Sequence, residues 1–349
     1  MSMSKAVEAG KFTVQHLTAA INRSKVPKNR IAELGWFEER GITTTHADIE
    51  LKDGKLIIVT EKARGEKGDS LAKADRDSKP FKCVHLPVTG AINADDLQNV
   101  RAFGQEYADG EGGEQWDEVI NEETTRMRQS LELTIEMMRM GALSGKVLGK
   151  AGNVIHNFFE EFGLDEADAK NVIDFAAAKG VRNQLAAALR ESKKHQAGVK
   201  ATKYRALCSA SFMDALMEDE GFRKAYERYQ DGSAFREDVR GGILWDGVVW
   251  EEHTEELPDG TLMIPEGEAR LVPENNSGLF LTRFAPANYA ETVNTKGLPM
   301  YAKGKMQDFD KGIDLEAQSN PLNVCTSPLA VRHLSIKAAA PAARTAKAA

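Results

Sequence analysis

Residues 117–143 read "DEVINEETTRMRQSLELTIEMMRMGAL". Met127, Leu131, Ile135 and Met138 recur at spacings of 4, 4 and 3, so one face of an α-helix carries all four. A helix this long with one apolar stripe needs a surface to cover the stripe. It is predicted to be the core-forming element of one domain. The methionines near its end allow two readings, core packing or an adaptable binding face, and core packing is the simpler.

On the N-terminal side, "ITTTHADIELKDGKLIIV" (42–59) places Asp53-Gly54 between two β-prone runs. That pattern predicts a two-residue hairpin turn in which Leu51 faces Leu56 and Ile49 faces Ile58. Residues 60–80 follow, with 11 charged side chains among 21 and Leu71 as the only large apolar one. Such a stretch buries no face of its own. After Pro80, "FKCVHLPV" (81–88) returns as a strand. The whole of 42–90 reads as an outstretched β-arm with a charged tip, and its strand edges are better covered by another subunit than left bare. Ahead of the arm, "TVQHLTAAINR" (13–23) is a short helix. The first 40 residues have too few core side chains to fold alone, so this helix is expected to dock on something larger.

On the C-terminal side, "LSGKVLGKAGNVIHNFFEEFG" (143–163) reads as strand, glycine turn, strand. Mixed helix and strand are expected from 165 to 230. Asp165 is a helix cap, "NQLAAALRESKKH" (183–195) a helix and "YRALCS" (204–209) a strand. Ser209 or Ser211 opens a helix through "MDALM", and "VIDFAAAKG" (172–180) suits either helix or strand. From 233 onward the pattern is mostly β, with turns at Asp246-Gly247 and Asp259-Gly260.

A chain of 349 residues accommodates about two domains. Its 42% hydrophobic and 28% charged content is that of a globular protein. No apolar run approaches the roughly 20 residues of a membrane helix. "MSMSKAVEAGKF" lacks a secretory pattern, so a cytoplasm-like setting is expected. Cys83, Cys208 and Cys325 are odd in number, far apart and in no CxxC pair, which points to reduced, buried thiols. The net charge of −7 is uneven: residues 1–30 carry +5 and 331–349 carry +4, leaving −16 for the rest. An acidic body with basic ends is not the footprint of a nucleic-acid reader. The ends read as solvated tails or as arms touching an anionic partner.

Several stretches come near known catalytic or binding motifs. "GALSGKVLGK" (141–150) is one residue short of a phosphate loop and has no Ser or Thr after Lys146. In "WEEHTEE" (250–256), Glu251, His253 and Glu255 would share one side of a strand. Carboxylate plus imidazole suits a metal, as in a metal-dependent hydrolase, while a solvated hairpin edge is the plainer reading. Motifs of the HExxH, GxSxG and GxGxxG kinds are absent. "FAPANYAETVNTKGLPMYAK" (284–303) is dense in polar, aromatic and glycine residues, which can line a pocket or build a turn that fits a neighbouring subunit.

Six runs carry a resemblance, in this order: "RIAELGWFEERGITTTHADIELKDGKL", "HLPVTGAINADDLQNVRAFGQE", "LSGKVLGKAGNVIHNFFEEFG", "FREDVRGGILWDGVVWEEHTEE", "IPEGEARLVPENNSGLFLTRFAPANYAETVNTKGLPMYAK" and "LEAQSNPLNVCTSPLAVRHL". From about residue 26 to 335 the chain resembles lambda-type (family E) major capsid proteins of tailed phages. The resemblance implies an α+β, HK-97-like shell fold. It divides the chain into an N-terminal arm (1–41), an extended loop or E-loop (42–90), a peripheral domain (91–164 and 300–326), an axial domain (165–299 and 327–336) and a basic tail (337–349).

The helix at 117–142 is then the spine helix, with Met127, Leu131, Ile135 and Met138 as its core side. The E-loop tip, with Lys62, Arg64, Glu66, Lys67, Asp69, Lys73, Asp75, Arg76 and Asp77, is expected to act between subunits. Pro286, Tyr289, Asn294, Gly297 and Pro299 become axial-domain structure rather than an active site. The implied function is structural: a virion capsid protein, assembled in the host cytoplasm as hexamers and pentamers of an icosahedral shell. No catalytic residue, cofactor, metal or membrane is involved. Expected partners are its own copies, separate scaffolding, portal and decoration proteins, and packaged double-stranded DNA by weak non-specific contact. An encapsulin-like nanocompartment shell is the alternative within the same fold. Lysines occur in the arm tip, yet nothing identifies the acid and acceptor that subunit cross-linking needs, and none is predicted.

Overall fold

Helix α4 (Gly113–Leu143) runs for 31 residues, and the side chains of Met127, Leu131, Ile135 and Met138 are all buried. The computed structural model describes residues 12–52, 76–98, 113–150, 152–177, 180–196, 200–230, 242–256, 260–274 and 278–337. These form two compact units. The first takes the described residues up to 52, 76–139 and 278–326, and the second takes 140–274 and 327–337.

In the first unit α4 lies on an antiparallel sheet of β4 (Leu86–Asn93), β14 (Gly312–Ser319) and β13 (Tyr301–Met306), with β14 in the middle. Ile313 pairs with Ile92 and Ala302 with Ala317. Met127, Leu131 and Ile135 share one core with Ile92, Ile313 and Leu315. Leu17 and Ile21 of α1 (Val14–Arg23) enter the same core. Thr13 caps α1 by accepting from the His16 N–H at 3.4 Å. At the other end Arg128 of α4 donates to the carbonyls of Ile21 (2.8 Å) and Ser24 (2.6 Å), where a helix exposes unpaired oxygens and partial negative charge. The N-terminal segment is thus docked from residue 14, not a solvated tail throughout.

A second helix, α2 (Arg30–Leu34), ends at Gly35 with φ of 64°. It leads into β1 (Phe37–Gly41), which runs parallel to β12 (Phe280–Phe284), itself antiparallel to β15 (Pro321–Cys325). The Ile31 N–H donates to the buried Glu136 carboxylate of α4. Arg139 pairs with Glu39 at 2.5 Å and stands over the Phe37 ring. A separate ladder joins β2 (His46–Lys52) to β3 (Arg76–Lys82), and the short α3 (Ala94–Gln98) follows β4.

The second unit is a six-stranded mixed sheet. Its order is β7 (Lys170–Ile173), β16 (Arg332–Ile336), β11 (Glu268–Glu274), β8 (Lys203–Cys208), β10 (Val248–Glu252), β9 (Ile243–Trp245). Strands β8 and β10 are parallel, so the chain crosses over between them, with α7 (Ala210–Glu218) and α8 (Glu220–Gln230) in the connection. Ser209 caps α7, with Phe212 as donor. Asp246 and Gly247, both at positive φ, make the tight β9–β10 turn. Trp245, Trp250, Phe212 and Phe222 meet Leu185 of α6 (Gly180–Lys194) in its core. A small hairpin, β5 (Lys146–Leu148) with β6 (Val154–Asn157), precedes α5 (Phe158–Phe162). Asp165 caps a 3-10 turn rather than an α-helix, and the first two residues of the ambiguous region, 172–173, finish strand β7.

The expected Asp53-Gly54 hairpin turn and its return run 55–59 lie outside the described residues; within them, Leu51 of β2 lies opposite Asp77 and Ile49 opposite Lys79 of β3. Two halves of a longer arm pair with each other, because strand propensity says nothing about which strand is the partner. The unit boundaries also differ from the sequence reading. Residues 278–299 group with α4 up to Arg139, because β12 is hydrogen-bonded between β1 and β15, whereas the β5–β6 hairpin belongs to the second unit. Finally, Lys337 is not part of a free tail. Its N–H donates to Ile173 and its ammonium pairs with Asp174 at 2.7 Å.

Leu131→Asp is expected to abolish folding of the first unit. The carboxylate would enter a position 1% exposed, at a cost of several kcal/mol, roughly the scale of a whole domain's stability. Soluble expression with an unchanged circular dichroism melt would contradict this.

Candidate functional site

The 284–303 segment is the first candidate, and its polar groups are spent on the fold. The Asn288 N–H donates to Gln318 Oε1 at 3.0 Å and the Tyr289 hydroxyl to Glu316 Oε1 at 3.2 Å. The Pro286 carbonyl accepts from Asn320 Nδ2 (3.1 Å), and the Pro299 carbonyl from the Ser319 hydroxyl (2.7 Å). Burial, followed by the Glu316 carboxylate, pushes the Tyr289 phenol up to about 12. Asn294 takes a left-handed φ of 59°, which asparagine tolerates better than most residues.

Gly297 is required by space. A Cβ there would stand 1.9 Å from the Phe284 carbonyl oxygen, and one on Gly41 would stand 1.9 Å from the Gly297 carbonyl oxygen. Ile42 N–H to Phe284 O and Gly297 N–H to Ile42 O, each 2.8 Å, close this three-segment junction. The segment is a hydrogen-bonded knot within the first unit, not a catalytic pocket.

The Glu251, His253 and Glu255 trio does not converge on a metal. Glu251 is buried and bound at 2.6 Å by Arg205, which also holds Glu274 at 2.8 Å. His253 lies just past the end of β10, buried, with its N–H donating to the Cys208 carbonyl. Glu255 Oε2 is 3.9 Å from His253 Nε2. Among the described residues, no group of three or more His, Cys, Asp or Glu is placed to hold a metal ion. The phosphate-loop lookalike is likewise structural. Gly145 lies against the Phe159 ring, and Lys146 pairs with Glu166. All three cysteines are buried, and burial pushes the Cys83 thiol up to about 11, far from a reactive thiolate.

Of the charged arm tip, Lys62, Arg64, Glu66, Lys67, Asp69, Lys73 and Asp75 lie outside the described residues. Arg76 and Asp77 open β3, opposite Lys52 and Leu51. The foot of the β2–β3 ladder borders a cleft of about 320 Å³, lined by Ile42, Thr44, His46, Ala47, Ile49, Leu281 and Arg283. Sequence reading missed one exposed group. Phe309, in the β13–β14 turn, is 92% exposed with φ of 62°. Its only sequence signal is an aromatic residue set among Asp308, Asp310 and Lys311.

In the second unit, His333 of β16 packs edge-on against Phe159. Burial, then the nearby Arg270 cation, lowers its pKa to about 3. Glu166 is lowered to about 2, chiefly by its hydrogen bonds to Lys146 and Lys170.

The sequence profile described as "Phage major capsid protein E" matches residues 13–336. The major capsid protein of Pseudomonas phage KPP10 is 25% identical over 322 residues, covering 85% of this chain and 89% of that protein. Among solved structures, a protein assigned as the capsid protein of an Escherichia coli CFT073 prophage superposes with a TM-score of 0.56 at 15% identity, covering 93% and 99% of the two chains. The capsid of Ralstonia phage GP4 gives 0.51 at 9% identity, covering 91% and 94%.

Gly297→Ala is expected to cost about 3 kcal/mol or more, because backbone rather than a flexible side chain must move. Denaturant unfolding checks this. The unfolded chain protonates His333 near its ordinary 6.5, while the folded chain resists until about 3. Stability therefore falls as pH drops through that window, and Glu166 adds to the loss below about 4. Calorimetry should show the second unit melting several degrees lower at pH 4 than at pH 7. His333→Gln should flatten that dependence.

Proposed function

The chain belongs to the phage major capsid protein E family, and from that premise we propose its working form: hexamers and pentamers that close into an icosahedral head around double-stranded DNA. The fold is the α+β, HK-97-like shell fold of phage capsids. The observation that carries the reading is the extent of the family match, which spans 13–336 and so takes in both units rather than a single borrowed motif.

The work of such a protein is mechanical. Exposed ion pairs are worth only about 0–1 kcal/mol each, yet every contact is repeated in every copy of a shell. The charged residues from Lys62 to Asp77 fit this role, as the mixed signs allow pairing with either charge on a neighbour and the pairing should weaken with salt. The net −16 between residues 31 and 330 suits a container that must not grip phosphate tightly. Scaffolding, portal and decoration proteins as separate chains, and assembly in the host cytoplasm, belong to the same proposal.

Negative-stain electron microscopy of the purified protein, alone and with a scaffolding chain from the same phage, tests the reading. Closed shells or capsomer-sized rings are expected. Sedimentation as monomer at every protein and salt concentration would falsify it.

A further inference from the structure

The turn between β13 and β14 combines two features that no core of the folded chain uses, and the ring's partner within the chain is the Lys311 ammonium, 5.8 Å from its centre. Phe309 is the most exposed of the large apolar side chains among the described residues. Phe309 and Asp310 both take left-handed backbone, with φ of 62° and 54°. A bulky residue there is an outlier, and it persists only where its surroundings impose it. The surroundings do so. Gln307 N–H donates to the Gly312 carbonyl at 3.0 Å, Gln307 Nε2 to Asp314 at 2.8 Å, and the Asp310 N–H to the Gln307 carbonyl at 3.2 Å. Gly312 is seated against the Ile92 carbonyl, where a Cβ would be 2.4 Å away. The ring is therefore presented by a braced turn and is not a side chain left over from the core. Carboxylates flank it on both sides, Asp308 and Asp310, and neither is in an ion pair among the described residues.

The cleft at the foot of the β2–β3 ladder is complementary. Ile42, Ala47, Ile49 and Leu281 supply the apolar half of its lining, Ala47 and Ile49 being themselves buried, and Thr44, His46 and Arg283 supply the polar half. Its volume of about 320 Å³ exceeds the ~150 Å³ that holds a benzene ring. Arg283 donates mainly to carbonyls, those of Glu38 (2.9 Å) and Thr282 (3.2 Å), and its ion pair with Glu38 is long, at 3.8 Å. Its charge is available to a second carboxylate.

We propose that Phe309 enters this cleft on a second copy of the chain, with Asp308 and Asp310 meeting Arg283 and His46. Knob and cleft are different surfaces of the same unit, so the contact is head-to-tail, the kind that closes into rings when the rotation permits. A buried aromatic anchor with a charged rim is the usual anatomy of an energetic hot spot. The inference rests on the shell-forming reading above.

Two full-length variants, Phe309→Cys and Thr44→Cys, test it, since Thr44 is an exposed residue of the lining and the native thiols are buried. Each is oxidised alone and in an equimolar mixture, in the assembled fraction. A disulfide-linked dimer found only in the mixture supports the proposal. Particles without that dimer overturn it, as does cross-linking of Phe309→Cys with itself, which means tip meets tip. A Thr44→Cys thiol as open to reagent in particles as in the monomer also overturns it. If wild type forms no particles, the shell reading fails first and takes the knob with it. If wild type does assemble, only the knob is at stake. Phe309→Asn separates docking from folding, because asparagine tolerates left-handed backbone. Its melting temperature should be unchanged or higher, while the protein concentration needed for assembly rises at least about tenfold. A lower melting temperature, or assembly at the wild-type concentration, would count against it.

Discussion

The packing of one helix face on one three-stranded sheet holds the first unit together. Met127, Leu131 and Ile135 of α4 cover Ile92 of β4 with Ile313 and Leu315 of β14, and Leu17 and Ile21 of α1 complete the same core. Four stretches far apart in the chain depend on this contact. Burial of each such side chain contributes about 1.5–3 kcal/mol. The polar connections are secondary to it. Arg128 reaches the α1 carboxyl end, and Glu136 reaches the Ile31 N–H, only because α4 is already fixed against the sheet.

Backbone proximity supplies a second constraint. At Gly41, Gly297 and Phe284 three segments approach closely enough that no Cβ fits at either glycine. The polar residues of 284–303 then satisfy one another and β14 around that junction, so a sequence that looks like a pocket is a brace. A similar logic holds in the second unit, where Glu251 and Glu274 share Arg205 instead of a metal. Paired buried charges need partners at close range, and here the partner is a guanidinium one strand away.

For a shell-building protein the useful surfaces are those the folded chain leaves over. Two stand out in the first unit: the cleft beside the β2–β3 ladder and the braced turn that displays Phe309. Neither is needed to close a core. The turn is held by hydrogen bonds of Gln307 to Gly312 and Asp314, which lowers the ordering cost of association.

The residues of α4 were legible in sequence because a helix writes its buried face locally, at spacings of 3 and 4, and Met127, Leu131, Ile135 and Met138 obey that period. The Asp246-Gly247 turn, the Ser209 cap and the α1 helix were legible for the same reason, as each depends on a few adjacent residues. The order of segments carried the family. Pairing was not legible. That β2 takes β3 as its partner, that 278–299 joins α4, and that Glu251 turns to Arg205 depend on contacts between residues far apart in the chain. Strand propensity and charge are properties of single positions, whereas a partner is chosen by the apolar area and hydrogen bonds that the whole chain can satisfy at once. The left-handed backbone at Phe309 belongs with these, since only the packing of Gln307, Gly312 and Ile92 around it makes that conformation hold.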